Sequence, residues 1–292
     1  MLKKSSANSW PFLKKFIRFD QRFGGWARSN GSWALFGYEF LRFGIKQAWA
    51  CLYGALLLFF LLGSHFFYPR DFVLPRYDFL VIVAVLVQFA MVFFGLESRR
   101  EARIIFLFHF VGTVMEIFKT NMGSWRYPEL SYLKIGGVPL FTGFMYASVG
   151  SYLARVWKLF DFRFNIHPTR ISLVVLSILI YGNFFSHHYI FDVRYLLFAV
   201  SAYLFYGSWV HFKVAQTHRK MPMLLGLLLV TLFIWFAENI GTFASAWVYP
   251  DQEKSWKIVS FAKFGSWYLL MLISYSMVYV TNFSSEKLKT SF

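Results

Sequence analysis

The chain has 292 residues, of which 58% are hydrophobic and only 15% are charged, against about 25% charged in ordinary soluble domains. Its mean hydropathy of +0.48 excludes a conventional water-soluble domain and points to a polytopic membrane protein. The formal net charge of +16 invites a nucleic-acid reading, but the basic residues sort by membrane side, and no nucleic-acid partner is needed to explain them. Cys51 is the single cysteine, so an intrachain disulfide and a cysteine metal site are both excluded.

Residues 1–46 are basic and aromatic. Lys3, Lys4, Lys14, Lys15, Arg18, Arg22 and Arg28 are interleaved with Trp10, Phe12, Phe16, Phe19, Phe23 and Trp26. Such a segment suits a helix lying in the interface, its cations on anionic lipid headgroups and its aromatics at the apolar boundary. A cytoplasmic tail that only fixes topology is the alternative. The first apolar span starts near residue 47, too late for a cleavable signal peptide. From there the runs predict an all-α polytopic transmembrane helical bundle of about eight spans. They fall at 47–67, 77–96, 103–120, 138–159, 171–188, 193–213, 222–243 and 257–281. Most of the 30 Lys and Arg lie on the side of the N-terminus, so both termini, including a tail at 283–292, are expected in the cytoplasm.

One phrase occurs twice. Glu116, Thr120, Trp125, Tyr127, Pro128 and Glu129 match Glu238, Thr242, Trp247, Tyr249, Pro250 and Asp251 at a constant offset of 122 residues. Ser64-His65 falls on Ser186-His187 at the same offset, and Gly143 and Tyr146 fall on Gly265 and Tyr268. A fixed offset marks an internal duplication. The transmembrane domain, 47–282, would then be two parallel four-helix repeats, about 47–160 and 169–282, related by an axis along the membrane normal. Gly136-Gly137, Gly143 and Gly150 would allow close helix approach.

Glu116 and Glu238 sit at the ends of apolar helices, where a carboxylate is costly unless paired, metal-bound or protonated. They are catalytic candidates, with Thr120 and Thr242 one turn on, and Asn183 and Asn239 available to orient a carboxylate or substrate. The plainer reading is that each Glu pins its helix to its repeat mate. Trp125, Tyr127, Trp247 and Tyr249 read as an aromatic belt with proline helix stops, and also as a substrate-binding wall. Lys119, one turn from Glu116, would neutralise it. His109, His187, His188 and Asp192 complete a His-and-carboxylate set of the kind that holds non-haem iron. His188 and Asp192 would pair at i,i+4 if their helix runs that far. A lone His on an apolar helix, however, is more often a packing residue. The chain has no phosphate-binding Gly loop, nucleophile elbow or dinucleotide fingerprint.

The stretches FHFVGTVMEIFKTNMGSWRYPE (108–129), IGGVPLFTGFMYASVGSY (135–152), NFFSHH (183–188) and AENIGTFASAWVYP (237–250) resemble the bacterial membrane proteins grouped as domain of unknown function 817, the YoaT-like family. The resemblance spans roughly 40–282. It implies an integral protein of the bacterial inner membrane and carries no catalytic assignment. A fainter likeness is to membrane carotenoid cyclases and hydratases, which use intramembrane carboxylates in repeated helices; the paired-acid motif of those cyclases is missing here.

The leading expectation is a membrane-embedded enzyme that modifies a lipid or isoprenoid chain by redox chemistry, oxygenation or desaturation, at a His/carboxylate iron. The near alternative is metal-free acid–base hydration or cyclisation, with Glu116 and Glu238 moving protons and aromatic faces stabilising a carbocation. A small-solute transporter and a structural subunit are the readings from other classes.

Overall fold

The computed structural model describes residues 11–69 and 71–282. Lys3, Lys4, Trp10, Arg70 and the tail 283–292 lie outside the described residues. Within them the protein is mostly helical, with ten α-helices and five short strands. Helices α1 (Pro11–Ser29) and α2 (Ser32–Ala50) form a hairpin at the N-terminus. Then come α3 (Leu52–Phe67), α4 (Arg76–Phe93), α5 (Arg99–Asn121), the β1–β2 hairpin (Lys134–Ile135, Val138–Pro139) and α6 (Phe141–Phe160). Strand β3 (Arg163–Phe164), α7 (Arg170–Ser186) and α8 (Arg194–Leu204) lead to β4 (Trp209–Lys213) and β5 (His218–Pro222). Helices α9 (Met223–Phe243) and α10 (Ala262–Asn282) close the bundle.

By length and composition three helices can cross a membrane: Arg76–Phe93, Met223–Phe243 and Ala262–Thr281. A fourth span follows if Ser32–Ala50 and Leu52–Phe67, bent by 69° at Cys51, count as one. Eight spans in two equal four-helix repeats are not supported among the described residues. The expected span 193–213 fails outright. Helix α8 ends at Leu204, about 16 Å after it starts, and Gly207, at φ +70°, turns the chain into β4. The apolar alternation of Val210 and Phe212 serves a sheet of order β3-β4-β5.

That sheet marks one end of the molecule and anchors α2 there. Arg219 donates to Glu39 at 2.6 and 2.9 Å, and Lys46 donates to the carbonyls of Leu159 and Lys213 at 2.9 and 2.7 Å. Trp33, Phe36 and Phe40 of α2 stay exposed, the pattern of a helix whose apolar face meets something other than protein. The main core is built from α6, α7, α9 and α10 around Trp157, Tyr275 and Leu272.

Beside it, His167 precedes α7 and stacks on Tyr279 at 4.4 Å. Its Nε2 pairs with the Tyr275 hydroxyl at 2.6 Å. Burial pushes this imidazole down to about 4, against a weak upward pull from the Pro168 carbonyl. An unfolded histidine titrates near 6.5, so the unfolded chain binds the extra proton first. The neutral ring thus contributes stability that is complete above pH ~6.5 and lost as pH falls toward 4, an effect of order 3 kcal/mol. Melting temperature against pH should fall more steeply over this window in wild type than in His167→Gln.

A second core at the opposite end joins α3, α4 and α6 to the chain after α9. It buries Leu61, Tyr77 and Phe141 against Ala244, Ala246 and Trp247. The candidate site lies at this end.

Candidate functional site: two aromatic-clamped glutamates and a basic cavity

The duplicated phrase folds twice in the same way. Helix α5 ends with Gly123 N–H on the Thr120 carbonyl and Ser124 N–H on the Lys119 carbonyl, both at 3.0 Å. Helix α9 ends with Ser245 N–H on the Thr242 carbonyl and Ala246 N–H on the Gly241 carbonyl, again at 3.0 Å. Each is a Schellman stop, with a left-handed residue at Gly123 (φ +69°) and Ser245 (φ +53°). The stop turns the chain back so that the Trp and Tyr reach the Glu on the preceding turns.

In the first copy, Trp125 Nε1–H donates to Glu116 Oε2 at 2.7 Å, the Tyr127 hydroxyl donates to the same oxygen, and Tyr146 of α6 donates to Oε1 at 2.7 Å. In the second, Trp247 Nε1–H and the Tyr249 hydroxyl both donate to Glu238 Oε1, at 2.8 and 2.6 Å. Tyr268, the offset partner of Tyr146, turns instead to Ser201 at 3.1 Å. Burial and the adjacent Glu116 carboxylate push the Tyr127 phenol well above its usual range. Burial and Glu238 do the same to Tyr249. Both phenols therefore keep their protons and act as donors.

The two loops meet back to back. Arg126 and Val248 exchange backbone N–H···O bonds of 3.0 Å in a single antiparallel bridge, and the Trp125 and Tyr249 rings meet edge to face at 6.0 Å. Each end is also gripped from the other half. Arg76 and His65 reach the Ala244 carbonyl at 2.9 and 3.1 Å. Tyr77 donates to the Ala246 carbonyl at 3.0 Å. In return His187 and His188 meet Lys119.

Beside the bridge lies a cavity of about 210 Å³, bordered by Trp125, Tyr146, Tyr249 and Trp267 and by Lys119, Lys263, Arg194 and His187. Glu116 and Glu238 do not border it. They stand behind its wall, joined to it through Tyr146, Trp125 and Tyr249. The substrate-wall expectation thus divides: Trp125 and Tyr249 border the cavity, while Tyr127 and Trp247 pack into the second core.

The other expected site residues scatter. Thr242 accepts from Trp256 at 3.2 Å, and the buried Thr120 hydroxyl has no partner among the described residues. Asn183 holds the 187–193 turn through Val193 N–H and Asp192, at 3.0 and 3.1 Å. Asn239 holds the loop before α10 through Val259 N–H at 2.8 Å. Neither touches Glu116 or Glu238. His109 packs on Phe144 at 4.4 Å and over Gly143, where any Cβ would overlap its ring. Helix α7 stops at Ser186, so His188 and Asp192 form no i,i+4 pair. Asp192 instead binds Arg194 at 2.5 Å; these bonds and those from Asn183 outweigh burial and hold its carboxyl below the usual range. Among the described residues no three His, Cys, Asp or Glu side chains converge to hold a metal. Lys119 does not neutralise Glu116; its ammonium meets His187 Nε2 at 3.2 Å and His188 Nε2 at 2.8 Å.

Sequence reasoning did not single out Lys263, Arg194 or Trp267. It saw Tyr146 only as a repeat match. It also missed Glu97, which Ser151, Gln88 and Arg155 surround in the bundle interior.

The family described as "Protein of unknown function (DUF817)" matches residues 39–275. The chain is 44% identical over 240 residues to "Uncharacterized protein YoaT" of Bacillus subtilis (strain 168), covering 82% of this chain and 90% of that one. No solved structure matches. A match over most of the length to both shows that the chain belongs to the DUF817 family.

Proposed function

We propose that this protein is a membrane-embedded enzyme that modifies a lipid or isoprenoid chain by acid–base chemistry at the cavity beside the Arg126–Val248 bridge. The observation that carries this reading is the pair of cavity-lining phenols backed by buried carboxylates, Tyr146 on Glu116 and Tyr249 on Glu238. In one dyad the glutamate carries a proton, and the phenol gives its own proton to a double bond of the chain while taking the glutamate's in return. The other dyad takes a proton from a neighbouring carbon, giving an isomer or a ring, or from an attacking water, giving a hydrate. Trp125 and Trp267 offer π-faces to the cationic carbon between the two steps. The two dyads differ, since Glu116 accepts from three side chains and Glu238 from two, and such asymmetry splits acid from base.

In this reading the protein crosses the cytoplasmic membrane of a bacterium several times, with both termini inside. The basic sheet end and the exposed aromatics of α2 support that orientation, with α1 and α2 on anionic headgroups. Redox chemistry at non-haem iron stands behind the acid–base reading, because His187 and His188 would have to leave Lys119 and meet a carboxylate.

The test is whole-lipid mass spectrometry of cells making wild type, Glu116→Gln or Glu238→Gln, each matched for folded protein. Wild type is expected to yield a lipid about 18 mass units heavier, or one of equal mass and new retention time, and both variants to lose it. A product about 16 heavier or about 2 lighter would point to oxygenation or desaturation instead.

A further inference from the structure

The duplication does not give two equal sites, and the difference is one of charge. Lys119 corresponds to Gly241 in the second copy, and Lys263 corresponds to Phe141 in the first. At Gly241 the missing side chain lets the Trp247 indole lie against the helix, where a Cβ would overlap it. Phe141 is buried and meets the Tyr127 ring edge to face at 6.5 Å. That corner is filled. At the corresponding corner of the other copy, Lys263 Nζ stands 4.3 Å over the Tyr249 ring and 5.8 Å from the Trp125 ring. Lys119 is only 5% exposed, yet it borders the same cavity.

Neither lysine is neutralised by a carboxylate within ion-pair reach among the described residues. His187 Nδ1 lies 2.9 Å from the Asn183 carbonyl and donates to it. Its Nε2 is therefore the acceptor facing Lys119. An imidazole brings no negative charge, so it leaves the ammonium charge in place. Arg194 adds a third cation at the rim, already engaged by Asp192. No Asp or Glu lines the cavity. The carboxylates that act on these lysines, Asp192 on Lys119 and Glu238 and Asp251 on Lys263, do so from beyond ion-pair distance, so an anion entering the cavity would be the first to touch either ammonium.

We propose that this cavity binds an oxyanion, the phosphate or carboxylate headgroup of an amphiphile, between Lys119 and Lys263. Beside the polar Ser124, Asn183 and Ser266, the wall carries Ile180, Phe184, Leu269 and Leu270, which suit the first carbons of an apolar tail. A volume of about 210 Å³ is below the usual ~300–1,000 Å³ of a site that engulfs its ligand, so the headgroup enters and the tail extends into the bilayer. The inference rests on the cavity being where the protein works, but not on any reaction taking place there.

The full chain in phosphatidylcholine nanodiscs would be titrated with an isoprenyl monophosphate, a long-chain fatty acid, the isoprenyl alcohol of the same chain, and inorganic phosphate. Binding is read by thermal stabilisation and tryptophan fluorescence. The anionic amphiphiles are expected to bind, the alcohol at least about tenfold more weakly, and Lys119→Met and Lys263→Met each to weaken binding by about tenfold or more. Inorganic phosphate binding as tightly as the amphiphile would keep the oxyanion site and assign it to a free anion. Equal binding of alcohol and monophosphate, or undiminished binding in both variants, overturns the proposal. Lys263 is partly exposed at the start of α10, so Lys263→Met decides the matter if Lys119→Met fails to fold. Absence of any product in wild type would sink the chemistry proposed above and leave this binding result standing. Binding lost in the lysine variants but kept in Glu116→Gln separates the two in the other direction.

Discussion

Truncating Trp247 to Ala is expected to destabilise the protein by about 3–5 kcal/mol, the range for buried Trp and Phe truncations. The indole fills the notch at Gly241, packs with Leu61, Tyr77 and Phe141, and supplies one of the two donors to Glu238. Its loss opens a cavity and leaves a buried carboxylate with a single donor. Trp125→Ala should cost clearly less. Its ring borders the open cavity, no glycine receives it, and Glu116 keeps Tyr127 and Tyr146 as donors. Thermal unfolding of both variants in the same detergent checks the order. Equal losses would mean that the two copies pack alike and that Gly241 is not a receptor for its tryptophan.

Replacing Glu97 by Leu is expected to have an effect of similar size. The Glu97 side chain is fully buried, with Arg155 5% exposed at 3.9 Å. Gln88 donates to its other oxygen at 2.6 Å, and Ser151 donates to the same oxygen that faces Arg155. Removing one member of a buried charge pair costs about 3–5 kcal/mol, whereas replacing both by apolar groups is often close to neutral. Glu97→Leu with Arg155→Met should therefore recover much of the stability lost in Glu97→Leu alone. A double variant no better than the single one would show that the ion pair is not what holds α6 against the end of α4.

These two sites differ in how far the sequence reveals them. The Glu-Thr-Trp-Tyr-Pro phrase was legible because a duplicated backbone needs the same residues at the same spacing: a turn after the helix, then an indole and a phenol returning to one carboxylate. Glu97 was not, because its partners lie 9 and 54 residues away and no local pattern announces them. The same holds for Lys119, whose histidines come 68 and 69 residues later. Read locally, it pairs with Glu116 on its own helix. Span number failed for a different reason. Hydropathy reports apolar length, and part of the apolar sequence after Leu204 belongs to β4, whose Val210 is buried at the sheet end. His187, His188 and Asp192 were read along one helix, but α7 stops at Ser186, so the i,i+4 spacing does not apply to them. Asn183 and Asn239 were placed near the right end but hold loops. The asymmetry between the copies was on the page in the sequence, as Lys119 against Gly241 and Lys263 against Phe141, but only the fold shows that both differences face one cavity.

The central claim is that a proton passes between the Tyr–Glu dyads and the carbon chain of a lipid. The most direct measurement is solvent deuterium in the product. Membranes containing wild type, Glu116→Gln, Glu238→Gln or Tyr146→Phe would be incubated in D₂O and the lipids analysed by mass spectrometry. The account predicts carbon-bound deuterium in the wild-type product and little or none in the three variants. A product formed by wild type without deuterium at carbon, or formed equally by all four proteins, would contradict it.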